Sequence, residues 1–350
     1  MIVQIHHPSQ HFLTAGAGEP TRVMSLVGMN NAPGFGAQSE KIDALASMDN
    51  GPDIIADLSL IDAAQPLWQL AIEAGCAASS LPIYTVRRRG HLVDPSELLD
   101  VALRQMEAGI GLLTIHPTPT PQLVELAQKR RVPWTSRGGG LVIQDLISSR
   151  HNDNVYMRII PQIVRAALRH GTVLSIGASF RSANIFDALD EVQQCEIKAQ
   201  LTLATEIAES GVGVIIESPG HARPADIQVC ARHLAQSGFP IMPLGPIPTD
   251  AAVGLDHVAS AIGATLMGIE GAAHILAAVT REEHTGGIPT LASTIEAAQA
   301  TRVAAHIIDI HQINATEVDE HIVAHRSDYH TCVLGKQTAG CSRCGPTCPL

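Results

Sequence analysis

Aromatic and basic side chains are both scarce in this sequence. Its 350 residues include five Phe, three Tyr and two Trp, and 23 Lys and Arg face 34 Asp and Glu, which gives a formal net charge of −11. Proteins that bind nucleic acids usually need a basic surface, and those that bind single strands also stack bases on aromatic rings. The composition therefore argues against a nucleic-acid partner.

Long apolar runs are lacking as well. No stretch of the sequence reaches the length of about 18 residues that a membrane-spanning helix needs. The first residues, MIVQIHHPSQHF, have neither the basic start nor the apolar core of a secretory signal peptide. We therefore expect no membrane partner and a cytoplasmic location, in which thiols stay reduced.

Cysteine is infrequent, but three of the seven cysteines lie in the last ten residues. Cys341, Cys344 and Cys348 form a C-x2-C-x3-C run. Three thiolates at this spacing suit an iron–sulfur cluster with one open iron, which can bind and cleave S-adenosylmethionine (SAM). A zinc knuckle with Cys332 or His330 as fourth ligand fits the spacing equally well. The odd number of thiols and the reducing compartment argue against disulfides.

Short apolar segments recur along the chain and alternate with helical patterns. There are eight of them, at 24–29, 53–59, 81–86, 111–116, 132–137, 172–177, 212–218 and 240–245. Near-continuous apolar runs of this length are typical of parallel strands that are buried on both faces. Eight strand–helix units predict an α/β protein with a (β/α)8 TIM-type barrel, and an open doubly wound sheet is the alternative.

Helix start signals support this interpretation. Asp94 before Pro95, and Thr120 before Pro121, each place a capping residue ahead of a proline at the first helical position. Two further helices are expected near 250–267 and 290–313. The chain is expected to divide into an N-terminal extension, a catalytic barrel, a helical extension and a cluster-binding tail, at residues 1–23, 24–285, 286–335 and 336–350.

Polar residues follow several of the expected strands, at the end where barrel enzymes place their chemistry. They are Tyr84, His116, Ser136, Arg137, Arg181 and Glu217. The SRGGG segment (136–140) offers backbone N–H groups, a hydroxyl and a guanidinium in one turn, which is a suitable cradle for a phosphate. A flexible glycine loop is the alternative interpretation of this segment.

The segment ESPGH (217–221) follows another expected strand. Its Pro-Gly turn directs Glu217 and His221 into one cavity, and a carboxylate with an imidazole suits a metal or a substrate. A metal would need a second histidine. His284, in REEHTGG, and His257, in GLDHVAS, are equally good candidates from the residues alone.

Taken together, these segments resemble the phosphomethylpyrimidine synthase (ThiC) family of the thiamine pathway. The resemblance is most specific in PLGPIPTDAAVGLDHVASAIGATLMGIEGA (243–272) followed by VTREEH (279–284). ESPGH is similar to that family's EGPGH, SRGG matches its SRGG, LPIY and LTIH match its segments at Tyr84 and His116, and CSRCGP matches the start of its cluster motif. The motifs occur in the same order over about residues 24–348.

The resemblance implies a (β/α)8 barrel, usually in a homodimer, with a C-terminal tail that carries a 4Fe-4S iron–sulfur cluster over a neighbouring subunit's barrel. It implies a radical SAM enzyme, a carbon–carbon lyase that rearranges aminoimidazole ribotide into hydroxymethylpyrimidine phosphate. The partners implied are this small phosphorylated ribotide and a one-electron reductant of the flavodoxin or ferredoxin kind.

The resemblance also implies a set of site residues. Those that would bind substrate are Tyr84, His116, Ser136, Arg137, Gly138, Arg181 and Glu217. His221 and His284 would hold one divalent metal, zinc or iron, in preference to His257. Cys341, Cys344 and Cys348 would hold the cluster. No residue is assigned to proton transfer.

The sequence departs from the family pattern mainly at the substrate contacts. The family's DGLR is ASFR (178–181) here, so the Asp is replaced by Ala178, and its tyrosine ahead of LGP is Met242. Its C-x2-C-x4-C motif is one residue shorter before Cys348. The alternatives are therefore a divergent paralogue acting on a related ribotide, a relative that makes 5-hydroxybenzimidazole from the same ribotide, a metal-dependent barrel lyase or hydrolase with a structural zinc tail, and a non-catalytic sensor or chaperone.

Overall fold

The computed structural model describes residues 1–9, 12–334 and 344–348. The strands in this part of the chain are β1 Ile2–Ile5, β2 Leu13–Gly16, β3 Arg22–Val27, β4 Ile54–Asp57, β5 Ala77–Ser80, β6 Arg88–Arg89, β7 Leu92–Val93, β8 Leu112–Ile115, β9 Val173–Ile176, β10 Val214–Glu217, β11 Ile241–Met242 and β12 Ile275–Ala277. The α-helices are α1 Phe35–Ala46, α2 Leu67–Glu73, α3 Pro95–Glu107, α4 Pro121–Ala127, α5 Arg137–Ser149, α6 Ile160–His170, α7 Glu191–Glu209, α8 Pro224–Ala235, α9 Asp256–Gly268, α10 Leu291–Ile313 and α11 Glu317–Asp328.

Eight of the described strands form one parallel sheet, in the order β11-β10-β9-β8-β5-β4-β3-β12. The sheet curls until its two edge strands meet. There the N–H of His274 donates to the carbonyl of Ile241 at 2.9 Å, and the N–H of Ile241 donates to Nδ1 of His274 at 2.9 Å. The sheet is therefore a nearly closed barrel, which confirms the TIM-type prediction and excludes the open doubly wound sheet.

Two of the eight strand predictions are wrong, although the number eight is right. The strand predicted at 81–86 lies earlier, at β5, and Pro82–Tyr84 form a 3-10 helix instead. The segment 132–137 is a loop that leads into α5, since Pro133 has no N–H to donate to a sheet. The eighth strand is β12, which lies in an alanine-rich segment that gave no strand signal.

The core has two layers, one inside the barrel and one between the barrel and its helices. In β4, Ile54 and Ala56 belong to the inner cluster, whereas Ile55 between them packs outward with the helices. Both faces of the strand are thus buried. This explains why the strands appear in the sequence as continuous apolar runs instead of alternating patterns.

The amino-terminal end of the barrel is closed by the antiparallel hairpin β1–β2. Val3, Ile5 and Ala15 of the hairpin join the apolar cluster inside the barrel. Gly111, which precedes β8, lies so close that a Cβ there would be 2.8 Å from Cγ2 of Ile5. The hairpin therefore packs as a plug, and the opposite end of the barrel is left for the site.

The predicted helix starts are observed. Asp94 accepts a hydrogen bond from the N–H of Ser96 (2.9 Å) at the start of α3, and Thr120 accepts one from the N–H of Leu123 (3.2 Å) at the start of α4. The helices expected near 250–267 and 290–313 are α9 and α10. Among the described helices, none has the length and apolar character needed to cross a membrane.

Candidate active site

A cavity of about 230 Å³ lies at the carboxyl ends of the barrel strands. It brings together residues that the sequence places far apart, and the predicted site residues that line it are Tyr84, His116, Ser136, Arg137, Arg181, Glu217, His221 and His284. Its wall at β3, β4 and β12 is apolar, with Met24, Leu26, Ala56 and Ala277. One side of the cavity therefore offers charge and hydrogen bonds, and the other offers an apolar surface.

His116, which follows β8, is fixed between two glycines. A Cβ at Gly138 would lie 2.8 Å from its Nδ1, and a Cβ at Gly177 would lie 2.5 Å from its Nε2, so both positions must stay without a side chain. Gly138 thus touches the imidazole through its backbone, although it is not part of the cavity wall. Ser136 Oγ lies 3.2 Å from Nε2.

Burial keeps His116 neutral at pH values at which an exposed histidine would be protonated. Because the ring is enclosed, desolvation lowers its pKa to about 3, with a smaller contribution from the nearby Arg181 guanidinium. The ring is therefore neutral near pH 7. Its Nδ1 is buried and has no hydrogen-bond partner among the described residues. A buried nitrogen without a partner is costly in a purely structural role, which supports a role for this ring in the site.

The SRGG segment begins α5 instead of ending a strand. Ser136 is the N-cap, and its Oγ accepts a hydrogen bond from the N–H of Gly139 (3.1 Å). Gly139 approaches the neighbouring loop closely, since a Cβ there would lie 2.5 Å from Cα of Ser179. The start of α5 thus contributes Ser136 and Arg137 to the cavity wall, and a helix amino terminus favours an anion.

Two guanidinium groups lie near these amides. Arg137 is exposed, with Cζ 5.7 Å from the centre of the Tyr84 ring, and Arg181 is half-buried after β9. Neither forms an ion pair with another described residue. Two unpaired cations at one rim attract an anion, and the planar guanidinium suits the oxygens of a phosphate.

Glu217 ends β10 at the polar side of the cavity. Its carboxylate accepts a hydrogen bond from the N–H of Ala178 (3.2 Å) and is almost fully buried. Desolvation raises the pKa of this carboxyl, and the positive charge of Arg181 partly opposes that rise. A buried carboxyl with a single backbone donor can accept hydrogen bonds from amino or hydroxyl groups of a ligand.

The two predicted metal histidines meet at the rim. Nε2 of His221 lies 3.1 Å from Nε2 of His284, and the two rings are 80° apart. Nδ1 of His221 lies 2.6 Å from an oxygen of Asp250, and Nδ1 of His284 lies 2.6 Å from an oxygen of Asp256. Each imidazole is thus paired with a carboxylate on the side away from its partner.

This arrangement fixes the protons of both rings. A carboxylate only accepts hydrogen bonds, so each Nδ1 must carry the hydrogen and each Nε2 must present a lone pair. Two lone pairs that face each other at 3.1 Å repel, unless a proton or a metal cation lies between them. Metal-binding histidines usually have such a carboxylate behind them. The donor set therefore fits a divalent cation.

Two imidazoles would leave the remaining coordination positions of a metal to water or a ligand. Among the described residues, no group of three or more His, Cys, Asp or Glu side chains forms a metal site. The alternative histidine, His257, lies on α9 with Nε2 3.5 Å from Glu296, and it is not part of the cavity wall. The geometry thus groups His284, and not His257, with His221.

The sequence interpretation missed Asp250 and Asp256. Both lie in the segment 243–272, yet nothing in their spacing relates them to His221 or His284. The relation exists only because the start of α9 and the loops after β10, β11 and β12 meet at one edge of the barrel. By contrast, the Pro-Gly turn before His221 was a usable signal, and a Cβ at Gly220 would overlap the carbonyl of Ser182.

The cysteine tail is described only in part. Cys341 lies outside the described residues. Cys344 and Cys348 stand at the two ends of a 3-10 helix, Gly345–Thr347, and Cys332 precedes them by twelve residues or more. All three of these described cysteines are free thiols. The assignment of a cluster to the tail therefore stays a prediction.

A barrel with its site at the carboxyl ends of the strands defines a TIM-barrel protein. Among solved structures, dihydropteroate synthase from Xanthomonas albilineans is similar with a TM-score of 0.46 and 12% identity, covering 86% of this chain and 98% of that one. Type I 3-dehydroquinate dehydratase from Clostridium difficile has a TM-score of 0.46 and 10% identity, covering 87% and 98%.

Sequence comparisons are more specific. Phosphomethylpyrimidine synthase from Thermotoga sp. (strain RQ2) is 28% identical, over 98% of this chain and 88% of that protein. Phosphomethylpyrimidine synthase from Methanopyrus kandleri is 31% identical, over 84% of this chain and 71% of that protein. The family model of the radical SAM ThiC family matches residues 1–334. The chain belongs to the radical SAM ThiC family, which confirms the resemblance drawn from its motifs.

Proposed function

We propose that this protein is a radical SAM enzyme that rearranges aminoimidazole ribotide, or a related phosphorylated ribotide, in the synthesis of the thiamine pyrimidine. The relatives named phosphomethylpyrimidine synthase support this proposal. The observation that carries it is a single cavity lined by the start of α5, by two guanidiniums that have no ion-pair partner among the described residues, and by two imidazoles that face each other.

The phosphate would bind at the start of α5. Ser136 and the amide of Gly138 would donate hydrogen bonds to its oxygens, and Arg137 would add a charge-assisted pair. Arg181 would be the second cation. All four groups come from this chain, and Ser136, Arg137 and Arg181 line the cavity, so the rest of the ribotide would extend toward the buried His116 and Glu217.

The base and ribose would lie between the polar and apolar walls. Glu217 would accept hydrogen bonds from an exocyclic amine or a hydroxyl, and the neutral His116 would orient the ligand without adding charge. Tyr84 is almost fully buried, and its pKa is raised by burial, so it would act as a neutral hydroxyl. No residue is assigned to proton transfer.

The cofactors follow from the proposed activity. Cys341, Cys344 and Cys348 would ligate a 4Fe-4S cluster, which supplies the electron that cleaves SAM when it is bound. His221 and His284 would hold a divalent ion, zinc or iron. We further propose a flavodoxin- or ferredoxin-like reductant, a homodimer in the cytoplasm, classification as a carbon–carbon lyase, and the division of the chain at 1–23, 24–285, 286–335 and 336–350.

One observation favours a second candidate, a paralogue that acts on a related ribotide. Where the family has the aspartate of DGLR, this chain offers Glu217 a backbone N–H at Ala178 and no side-chain carboxylate. The wall formed by Met24, Leu26 and Ala56 also lacks hydrogen-bonding side chains. A ligand with a larger apolar face would fit this wall. We therefore expect slow or no turnover of aminoimidazole ribotide itself.

The test is anaerobic SAM cleavage by the reconstituted chain. With reductant and a panel of phosphorylated ribotides, we expect 5′-deoxyadenosine and methionine to form with at least one ribotide, as detected by mass spectrometry. Rapid conversion of aminoimidazole ribotide to the pyrimidine would contradict the paralogue candidate. A loaded cluster with no SAM cleavage for any ribotide would contradict the enzyme proposal.

The same preparation tests the tail. Replacing Cys341, Cys344 or Cys348 by Ala should abolish the absorbance near roughly 400 nm that thiolate-bound iron–sulfur clusters show. Cys332→Ala is the matched control and should leave that absorbance unchanged. Equal damage from Cys332→Ala, or a colourless protein that contains zinc, would favour the metal-dependent barrel lyase with a structural zinc tail.

A further inference from the structure

The loop after β9, residues 178–182, carries two groups of the candidate active site, and we call it the arginine loop. The side chain of Arg181 lines the central cavity. The N–H of Ala178 donates a hydrogen bond to the carboxylate of Glu217 at 3.2 Å. The position of this short backbone segment therefore decides where the guanidinium of Arg181 lies relative to the other polar groups of the cavity.

A buried carboxylate on the helix layer outside the barrel holds the arginine loop from behind. Glu196, on α7, is 2% exposed. It accepts hydrogen bonds from the N–H of Ser179 at 2.7 Å and from the N–H of Phe180 at 2.8 Å. The hydroxyl of Thr118 donates to it as well, at 2.6 Å. Because Thr118 belongs to the loop after β8, this one carboxylate links that loop to the arginine loop.

A buried guanidinium holds the same part of the loop through its carbonyl. Nη1 of Arg130 donates to the carbonyl of Phe180 at 2.6 Å, while its Nε and Nη2 donate to the two carboxylate oxygens of Asp190 at 2.7 and 2.6 Å. The ring of Phe180 is fully buried and packs edge-on against Trp134. The N–H, the carbonyl and the side chain of Phe180 are therefore all fixed, and Arg181 is the next residue in the chain.

The contacts of Glu196 suit a carboxylate and not an amide of the same shape. Burial raises the pKa of this carboxyl to about 7, and its three hydrogen bonds together with the charge of Arg130 oppose the rise. One oxygen accepts from Ser179 and the other from Phe180. An amide has only one oxygen, so in either orientation its NH₂ group would face a backbone N–H of the arginine loop, and that N–H would lose its acceptor.

We propose that Glu196, together with Arg130, is a positioning residue that holds the arginine loop so that Arg181 reaches the phosphate of the ribotide. This inference rests on the proposed function, to which the phosphate and the role of Arg181 belong. Gly220 leaves room for the stem of Arg181, since a Cβ there would lie 3.3 Å from its Cγ. A guanidinium pairs well with phosphate oxygens only when its planar fork is aligned with them, so a small shift of the loop should weaken that pair.

The test is a double-mutant cycle that combines Glu196→Gln with Arg181→Ala. At about pH 8, where Glu196 is mostly ionised, anaerobic calorimetric titration of the cluster-loaded full chain measures the affinity for aminoimidazole ribotide and for its dephosphorylated riboside. Arg181→Ala should weaken ribotide binding by about 10- to 100-fold, and Glu196→Gln by about 10-fold. In the Arg181→Ala background, Glu196→Gln should cause no further loss. The riboside should bind wild type and Glu196→Gln alike.

A control and a second variant accompany the cycle. Glu206→Gln, at an exposed position of the same helix, is the matched control and should bind both ligands like wild type. Should Glu196→Gln fail to fold, Arg130→Lys takes its place, with the same pattern of losses expected. Lysine keeps the positive charge, but a single ammonium cannot reproduce the fork that binds Asp190 and the carbonyl of Phe180 together.

The outcomes separate this inference from the proposed function. If Glu196→Gln weakened ribotide binding equally with and without the Arg181→Ala change, its effect would not pass through Arg181, and the inference would be overturned. Equal weakening of ribotide and riboside would overturn it too, as would wild-type ribotide affinity in both Glu196→Gln and Arg130→Lys. Each of these results leaves the proposed function intact. Failure of the wild-type chain to bind aminoimidazole ribotide and every other ribotide of the panel would overturn both proposals.

Discussion

The two ends of the barrel are built for different purposes. At the amino-terminal end, the β1–β2 hairpin inserts Val3 and Ile5 into an apolar cluster with glycine-tight contacts. At the carboxyl-terminal end, unpaired guanidiniums, a buried carboxyl and facing imidazoles surround an open cavity. Burying polar groups at the open end lowers the stability of the fold. The apolar packing at the closed end compensates for this loss of folding free energy.

One residue type shows this difference directly. His274 at the closed end and His116 at the open end both have a pKa lowered by burial, to about 4 and about 3. Nδ1 of His274 accepts a hydrogen bond from Ile241 across the barrel seam, whereas Nδ1 of His116 has no partner among the described residues. Burial alone therefore does not mark a functional histidine, and a missing partner is the more informative sign.

The largest effect is expected at the paired imidazoles of the open end. Replacing both His221 and His284 by Ala removes the only two proposed protein ligands, so the chain should lose its divalent ion while keeping the iron and sulfide of the cluster. Elemental analysis and sulfide determination measure this. His233→Ala, at an exposed position on α8, is the matched control. Unchanged metal content in the double variant would exclude the pair, and His257 would be tested next.

The carboxylates of Asp250 and Asp256, which contact the two imidazoles, provide a second test of the metal site. In Asp256→Asn, the amide can donate to Nδ1 of His284 and so allow the hydrogen to move to Nε2, which blocks metal binding. Chelator competition should show metal affinity about 10- to 100-fold weaker.

The closed end should be most sensitive in stability. Ile5→Ala leaves a cavity in the plug and should lower the free energy of unfolding by about 2–5 kcal/mol, as measured by urea denaturation. Phosphate-ligand affinity of the folded fraction should not change. Ile2→Ala is the matched control, since Ile2 is 51% exposed on the same strand. Equal losses for the two variants would contradict a packed plug.

At the open end, Arg137→Ala should weaken ligand binding and leave stability almost unchanged, which is the opposite of the result expected for Ile5→Ala. Losing one charge-assisted hydrogen bond should weaken ribotide binding by roughly 1.5–3 kcal/mol, or about 10- to 100-fold, with little change in stability. The dephosphorylated riboside should bind wild type and variant alike in calorimetric titration. Arg169→Ala, exposed at the end of α6, is the control. A riboside that is weakened as much as the ribotide would refute phosphate binding by Arg137.

The smallest effect concerns pH. In the unfolded chain, His116 takes up a proton near its ordinary pKa of 6.5, whereas in the folded chain it does so only near 3. Protonation therefore favours the unfolded state between these two pH values. The free energy of unfolding is highest above pH 6.5 and falls as the pH decreases from 6.5 toward 3. Between pH 7.5 and 5, the contribution is about 2 kcal/mol. His116→Gln should flatten the unfolding free energy over that range, as urea denaturation at the two pH values would show. The control His233→Gln, at an exposed position, should leave the pH dependence of the unfolding free energy unchanged. If His116→Gln also left it unchanged, the interpretation of His116 as a buried neutral ring would be contradicted.

Features that depend on neighbouring residues were predicted well from the sequence, and features that depend on contacts between distant segments were not. The caps Asp94 and Thr120 were predicted correctly because a capping side chain bonds to a backbone amide two or three residues away. Strand β5 and strand β12 were missed because Ala and Ser in them gain burial only from neighbouring strands. Asp250 and Asp256 were missed for a similar reason, since each lies almost 30 residues from the histidine that it contacts.

The sequence by itself determined six of the eight barrel strands, the family, and eight of the residues that line the central cavity, because each of these rests on a pattern or a motif within a short segment. Tertiary structure alone decided that the sheet closes, that the hairpin plugs one end, and that Asp250 and Asp256 stand behind the two imidazoles. These features depend on contacts between segments that are up to about 250 residues apart in the chain, such as β3 and β12, and only the closed barrel brings those segments together.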